Sequence, residues 1–102
     1  MEIIKHLEDQ IDSEVHDAKS YIKCALKRKD EDKELADLYY ALASEEMDHM
    51  NRLHKQVVRI IEDYRKEKGE PPADMLAVYN YLHEKHIEKA AEVKSMMSLY
   101  KN

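Results

Sequence analysis

Apolar residues recur every three or four positions along most of the chain, and two polar breaks interrupt the pattern. This spacing is typical of amphipathic α-helices, whereas the period-two alternation that indicates a half-buried strand never persists. The pattern predicts three helices, near residues 2–28, 33–67 and 72–100.

The two breaks contain residues that end and begin helices. In the charged segment 28–32, Asp30 or Asp32 can cap the second helix. In the segment 69–74, a glycine that ends the second helix precedes two prolines that favour the start of the third. Short loops join helices that pack antiparallel, so we expect an all-α fold with an antiparallel helical hairpin and a third helix.

The apolar stripes indicate which positions face the core. The first helix contributes Ile4, Leu7, Ile11, Ala18, Tyr21 and Ala25. The second contributes Leu35, Tyr39, Leu42, Leu53, Val57, Ile60 and Tyr64. The third contributes Val78, Tyr79, Leu82, Ala90, Val93, Met97 and Tyr100.

Length and composition fit this fold and narrow the functional classes. The 102 residues, with one Gly, two Pro and 38% charged residues, predict a single helical domain of a hairpin (1–68) and a third helix (71–102). A net charge of −5 without a basic run argues against a nucleic-acid partner. We also expect no membrane partner and a cytoplasmic location, because no apolar stretch approaches about 20 residues and no signal-peptide pattern is present.

Three polar residues interrupt the stripes of the first two helices. Glu14 occupies the stripe position between Ile11 and Ala18, and Glu46 and His49 occupy those between Leu42 and Leu53. A carboxylate that faces a core is costly unless its charge is satisfied, and a bound cation can satisfy several carboxylates together. The interruptions therefore predict a metal site in the hairpin.

The three interruptions are expected at one height along the hairpin. If the chain turns near residues 30–31, Glu14 and Glu46 each lie about 16 residues from the turn, and His49 about 19 residues. At about 1.5 Å per residue, Glu14 and Glu46 lie near 24 Å from the turn, and His49 lies about one helical turn further out. Glu46 and His49 are separated by three residues, so their side chains leave the same helix face.

A lone Glu opposite a Glu-x-x-His pair resembles half of the site of the ferritin-like di-iron carboxylate proteins, a superfamily that includes rubrerythrin-type domains. In that superfamily two helices each supply a Glu and two others each supply a Glu-x-x-His. The resemblance covers residues 5–65 and implies an iron cofactor, with Glu46 as a bridging carboxylate, Glu14 as a terminal carboxylate and His49 as a terminal imidazole. These residues would be both the metal ligands and the catalytic residues.

The other half of such a site is missing from the chain, since residues 70–102 contain no Glu-x-x-His. A two-fold dimer would supply the three residues twice and complete a ferritin-like four-helix bundle. Encapsulated ferritins, which dimerise in this way, are the family that it resembles most, and they imply an encapsulin shell as a partner. No targeting tail is apparent in residues 96–102.

The resemblance implies a ferroxidase that oxidises Fe(II) with oxygen or peroxide at a site shared between two copies. Two alternatives stay open: a structural site for Zn(II) or Mn(II), and a helical oligomerisation or adaptor module without metal. The size of the assembly beyond a dimer and the role of the third helix also stay open.

Several other polar and aromatic residues lie near the predicted site or the predicted core. If the third helix folds back along the second, Glu92 lies level with the site and can approach it. His83 and His86, three residues apart, are expected to contact neighbours rather than metal. The free thiol of Cys24 and the methionines are expected to be packing residues. Asp17 and Glu45 are expected to be solvated charges. Tyr21 is expected to pack against Tyr39 or Tyr40, which lie at the same level of the hairpin.

Overall fold

The computed structural model describes residues 2–102, which form the helices α1 (Glu2–Arg28), α2 (Lys33–Lys68) and α3 (Ala73–Lys101). The described residues contain no strand, so the predicted all-α class is confirmed, and each helix begins and ends within one residue of its prediction. The three helices lie lengthwise in a bundle of 55 × 19 × 17 Å. In residues 2–102, no helix combines the length and the apolar character that crossing a membrane requires.

The turn between α1 and α2 is short and closed by hydrogen bonds. The carbonyl of Arg28 accepts from the backbone amides of Glu31 and Asp32, at 3.1 and 2.9 Å. The side chain of Asp32 accepts from the amide of Leu35 at 3.1 Å, so Asp32 rather than Asp30 caps α2.

The turn between α2 and α3 begins at the single glycine of the chain. Gly69 has φ +81°, a left-handed conformation that side chains rarely adopt, and its amide donates to the carbonyl of Arg65 at 3.0 Å. Pro71 is buried, and Pro72 immediately precedes α3. The expected order of a Gly stop and a Pro start is confirmed.

The predicted core is correct for α1 but is rotated for α2. All the predicted α1 positions are buried except Tyr21, which is half-buried. On α2 only Val57 is buried among the predicted positions, and the others are half-buried. The other buried α2 residues are Ala36, Ala43, Met47, Met50 and Ile61. The prediction was only partly right here. Tyr39, Leu53 and Ile60 pack against the edge of the core, while the fully buried line of α2 is rotated toward α1.

The prediction for α3 is right near its end and wrong at its start. Ala90, Val93 and Tyr100 are buried, but Val78 is 60% exposed. The apolar residues of α3 are spread around the helix rather than gathered on one face. The sequence pattern therefore does not define which face is buried.

Helix α3 runs antiparallel to α2 but packs mainly against α1. Two ion pairs fix it there: Asp12 to Lys89 at 2.7 Å, and Lys19 to Glu92 at 2.8 Å. Because α3 lies on one side of the hairpin, the opposite side of α1 and α2 is left without a covering helix.

Candidate metal centre

The hairpin brings together the three residues that the sequence singled out. Nδ1 of His49 lies 3.3 Å from Oε2 of Glu14 and 3.7 Å from Oε1 of Glu46. One ligand atom from each residue lies within 4.8 Å of the other two. Donor atoms that share an ion at about 2.1 Å are separated by about 3 to 4 Å, so small side-chain movements suffice for these three to hold one cation.

Regular helix geometry explains why residues 35 positions apart in the chain meet. The turn at 29–32 reverses the chain, and nearly equal numbers of residues with a constant rise separate Glu14 and Glu46 from it. His49 follows Glu46 by about one helical turn, so it presents its ring on the same face of α2.

The three residues lie at the rim of the α1–α2 interface rather than inside the core. The side chains of Glu46, Glu14 and His49 are 19%, 26% and 49% exposed. The expectation that they face the core was therefore too strong, because they lie on the half-buried edge of α2 described above. A cation held there remains accessible from solvent.

The two carboxyl groups perturb each other. The pKa of Glu46 is raised from 4.5 to about 7, first by its hydrogen bond with Glu14, then by burial and by the negative charge of Glu14. The nearby His49 opposes this rise, and Asp17 adds to it. A divalent cation would favour the ionised form of both carboxyl groups and remove their repulsion.

The cluster faces away from α3. Asp12 contacts Lys89 of α3, and Glu14 follows Asp12 by two residues, or about 200° around the helix axis. On α2, Asn51 lines a cavity between this helix and α3. His49 lies two residues before Asn51, so it also points about 200° away from the side that α3 covers. The candidate centre therefore lies on the uncovered side of the hairpin, which we call the open face.

Apolar and aromatic side chains lie along the helices before and after the cluster. Leu42 and Leu53, which lie about one turn before and after the Glu-x-x-His pair, are half-buried, and Leu38 is 53% exposed. The rings of Tyr21 and Tyr39 stack with centroids 6.3 Å apart, as predicted for a packed pair. Asp17 and Glu45 are exposed, as expected for solvated charges.

The remaining candidates of the sequence do not join the cluster. Glu92 pairs with Lys19 instead. His83 stacks on His54 with ring centroids 4.6 Å apart, and His86 is buried beside Glu8. The expected approach of Glu92 to the site is therefore not seen, whereas the expected contacts of His83 and His86 with neighbouring side chains are.

Sequence reasoning missed the buried carboxyl group of Glu8 and the role of His54. Glu8 follows the stripe residue Ile4 by four positions and precedes Ile11 by three, so its spacing already placed it beside the core. His54 gave no such signal, because its neighbour His83 belongs to another helix and only the packing of α3 brings the two together.

Comparison of the chain with known protein families, with curated proteins and with solved structures finds no match.

Proposed function

We propose that this chain is a ferritin-like di-iron protein that oxidises Fe(II) at a site shared by two copies. The convergence of Glu14, Glu46 and His49 from two helices is the observation that carries the proposal. In residues 2–102, no other group of three such side chains brings its ligand atoms this close together.

A single chain fits only half of a di-iron centre. It offers two carboxylates and one imidazole, whereas two irons in this kind of site take four carboxylates and two imidazoles. A two-fold axis through the open face would double the set and would align four helices around it. The half-exposed stripe residues Leu42 and Leu53 support this arrangement, because a second hairpin would bury them.

The donor set suits iron that changes its oxidation state. Hard carboxylate oxygens favour Fe(III), while imidazole retains affinity for Fe(II). The two irons are the substrate here: each gives one electron, and oxygen or peroxide accepts the pair. Glu14 and Glu46 would neutralise the charge of the metal, and His49 would fix its position from the adjacent turn.

The proposal is tested by adding iron to the metal-stripped protein under anaerobic conditions. Size-exclusion chromatography with light scattering measures the mass before and after Fe(II), and absorbance then follows ferric product after air is admitted. We expect Fe(II) to promote dimers and the protein to oxidise Fe(II) faster than buffer does.

Matched variants distinguish an effect of the metal site from an effect of negative charge in general. Glu46→Ala should abolish both effects, whereas Glu45→Ala, which removes an exposed carboxylate one residue away, should keep them. Circular dichroism verifies that both variants remain helical. If the mass does not change with Fe(II) and oxidation proceeds at the buffer rate, the proposal is wrong and the adaptor module without metal is favoured. If Zn(II) or Mn(II) binds tightly and Fe(II) is not oxidised, a structural metal site is favoured.

A further inference from the structure

A second cavity lies away from the metal cluster, where α2 turns into α3. Its volume is about 480 Å³, and all three helices line it, with Ile4 from α1, Ile61 from α2 and Leu82 from α3 among its apolar walls. This volume falls within the range of about 300 to 1,000 Å³ that small-molecule sites occupy. The cavity therefore has room for a ligand of several carbon atoms.

One carboxyl group lies deep in this apolar wall. Glu8 lines the cavity and is only 2% exposed, and neither of its side-chain oxygens has a hydrogen-bond partner. Nδ1 of His86 lies 2.9 Å from one of these oxygens, but not in a hydrogen-bonding arrangement. A buried polar group without a partner is costly, so a ligand that donates to Glu8 would remove a cost already present in the fold.

Burial disfavours the charged forms of both Glu8 and His86. It lowers the pKa of His86, and burial followed by the charge of Asp9 raises the pKa of Glu8. A cation that reaches Glu8 would favour the ionised form of its carboxyl group.

The charges around the cavity favour a cation. Glu8, Asp9 and Asp74 contribute three carboxyl groups to the lining, while Lys5 is its single basic residue. A metal ion is a poor match, because Glu8 is the single buried acid of the lining and metal ions require several ligands. An organic cation with an apolar body matches both features.

We propose that this cavity binds a primary aliphatic amine, with the ammonium group on Glu8 and the hydrocarbon chain along Ile4, Ile61 and Leu82. The ammonium donates to the unpartnered carboxylate oxygens, and the chain replaces water on the apolar walls. Glu8 precedes Glu14 by six residues, about 9 Å along α1, so this site is separate from the metal centre.

The test compares n-octylamine with 1-octanol, which has the same chain and no charge. Binding is measured by amide chemical-shift perturbation at neutral pH. We expect octylamine to bind at least ten times more tightly than octanol and to shift residues around the cavity. Equal affinities would overturn the proposal in favour of a merely apolar groove, and the absence of binding by both would overturn it entirely.

Substitutions locate the ammonium group. Glu8→Gln keeps the size of the side chain and should reduce octylamine affinity at least tenfold without changing that for octanol. Glu84→Gln, which removes an exposed carboxyl group outside the cavity lining, should change it little. If Glu84→Gln reduces affinity as much as Glu8→Gln does, surface charge rather than the buried carboxyl group attracts the amine.

An independent readout covers the case in which Glu8→Gln does not fold. The chain has no tryptophan, and Val78 lines the cavity while 60% exposed, so Val78→Trp places one indole at the rim without disturbing the core. Octylamine should change the fluorescence of this variant at lower concentrations than octanol. The same response in Glu46→Ala would show that amine binding does not depend on the metal centre.

Discussion

Removal of one carboxylate from the candidate metal centre should stabilise the metal-free protein. In Glu46→Gln the repulsion between Glu14 and residue 46 disappears, while the shape of the side chain is retained. The pKa of Glu46 rises from 4.5 to about 7, which corresponds to about 3 kcal/mol at about 1.4 kcal/mol per pH unit. This is a large part of the 5 to 15 kcal/mol by which small proteins are typically stable.

The sign of the effect determines the pH at which it appears. Below pH 4.5, residue 46 is protonated in both the folded and the unfolded chain, so it contributes no penalty. As the pH rises toward 7, the unfolded chain loses this proton before the folded one, and the free energy of unfolding falls. Above about pH 7 the full penalty is present. The free energy of unfolding of Glu46→Gln should therefore exceed that of the wild type by up to about 3 kcal/mol at pH 8 and equal it near pH 4.

Urea unfolding with a chelator, followed by circular dichroism at pH 4 and pH 8, measures this difference. Two protein concentrations exclude a contribution from association. Glu45→Gln, at an exposed position one residue away, should show no comparable pH-dependent gain. A difference between wild type and Glu46→Gln that is the same at both pH values would refute the electrostatic coupling of Glu14 and Glu46. On addition of a divalent metal the wild type should become more stable than Glu46→Gln, because only the wild type has the full ligand set.

Three further predictions concern the fold itself. Ile22→Ala, at a side chain with no exposed surface, should lower the free energy of unfolding in urea by about 2 to 5 kcal/mol, and a smaller loss would contradict its place in the core. Asp32→Ala, which removes the acceptor for the amide of Leu35, should cost about 0.5 to 2 kcal/mol in the same assay, whereas Asp32→Asn should cost less. Tyr100 donates to Asp37, which raises the pKa of Tyr100 to about 12, and burial raises the pKa of Tyr79. Ultraviolet titration should therefore show a late-titrating fraction that loses one tyrosine in Tyr100→Phe and keeps it in Tyr81→Phe.

The residues of the candidate site could be found from the sequence because they depend on distance along a helix. Once the turn at 29–32 is located, a constant rise per residue places Glu14 level with Glu46 and His49. The sequence could not show that these side chains lie at the rim of the interface. Neighbouring positions on a helix differ by about 100°, and a wide apolar stripe on α2 is compatible with more than one rotation about its axis.

The sequence by itself determined the helical class, the bounds of the three helices to within one residue and the height at which the three candidate ligands meet. All of these follow from local spacing and from hydrogen bonds near the helix ends. The tertiary structure decided which line of α2 is buried, that α3 packs on α1, that Glu8 lies buried beside His86, and that one face of the hairpin stays open. These features depend on contacts between residues far apart in the chain, and no local pattern specifies such contacts.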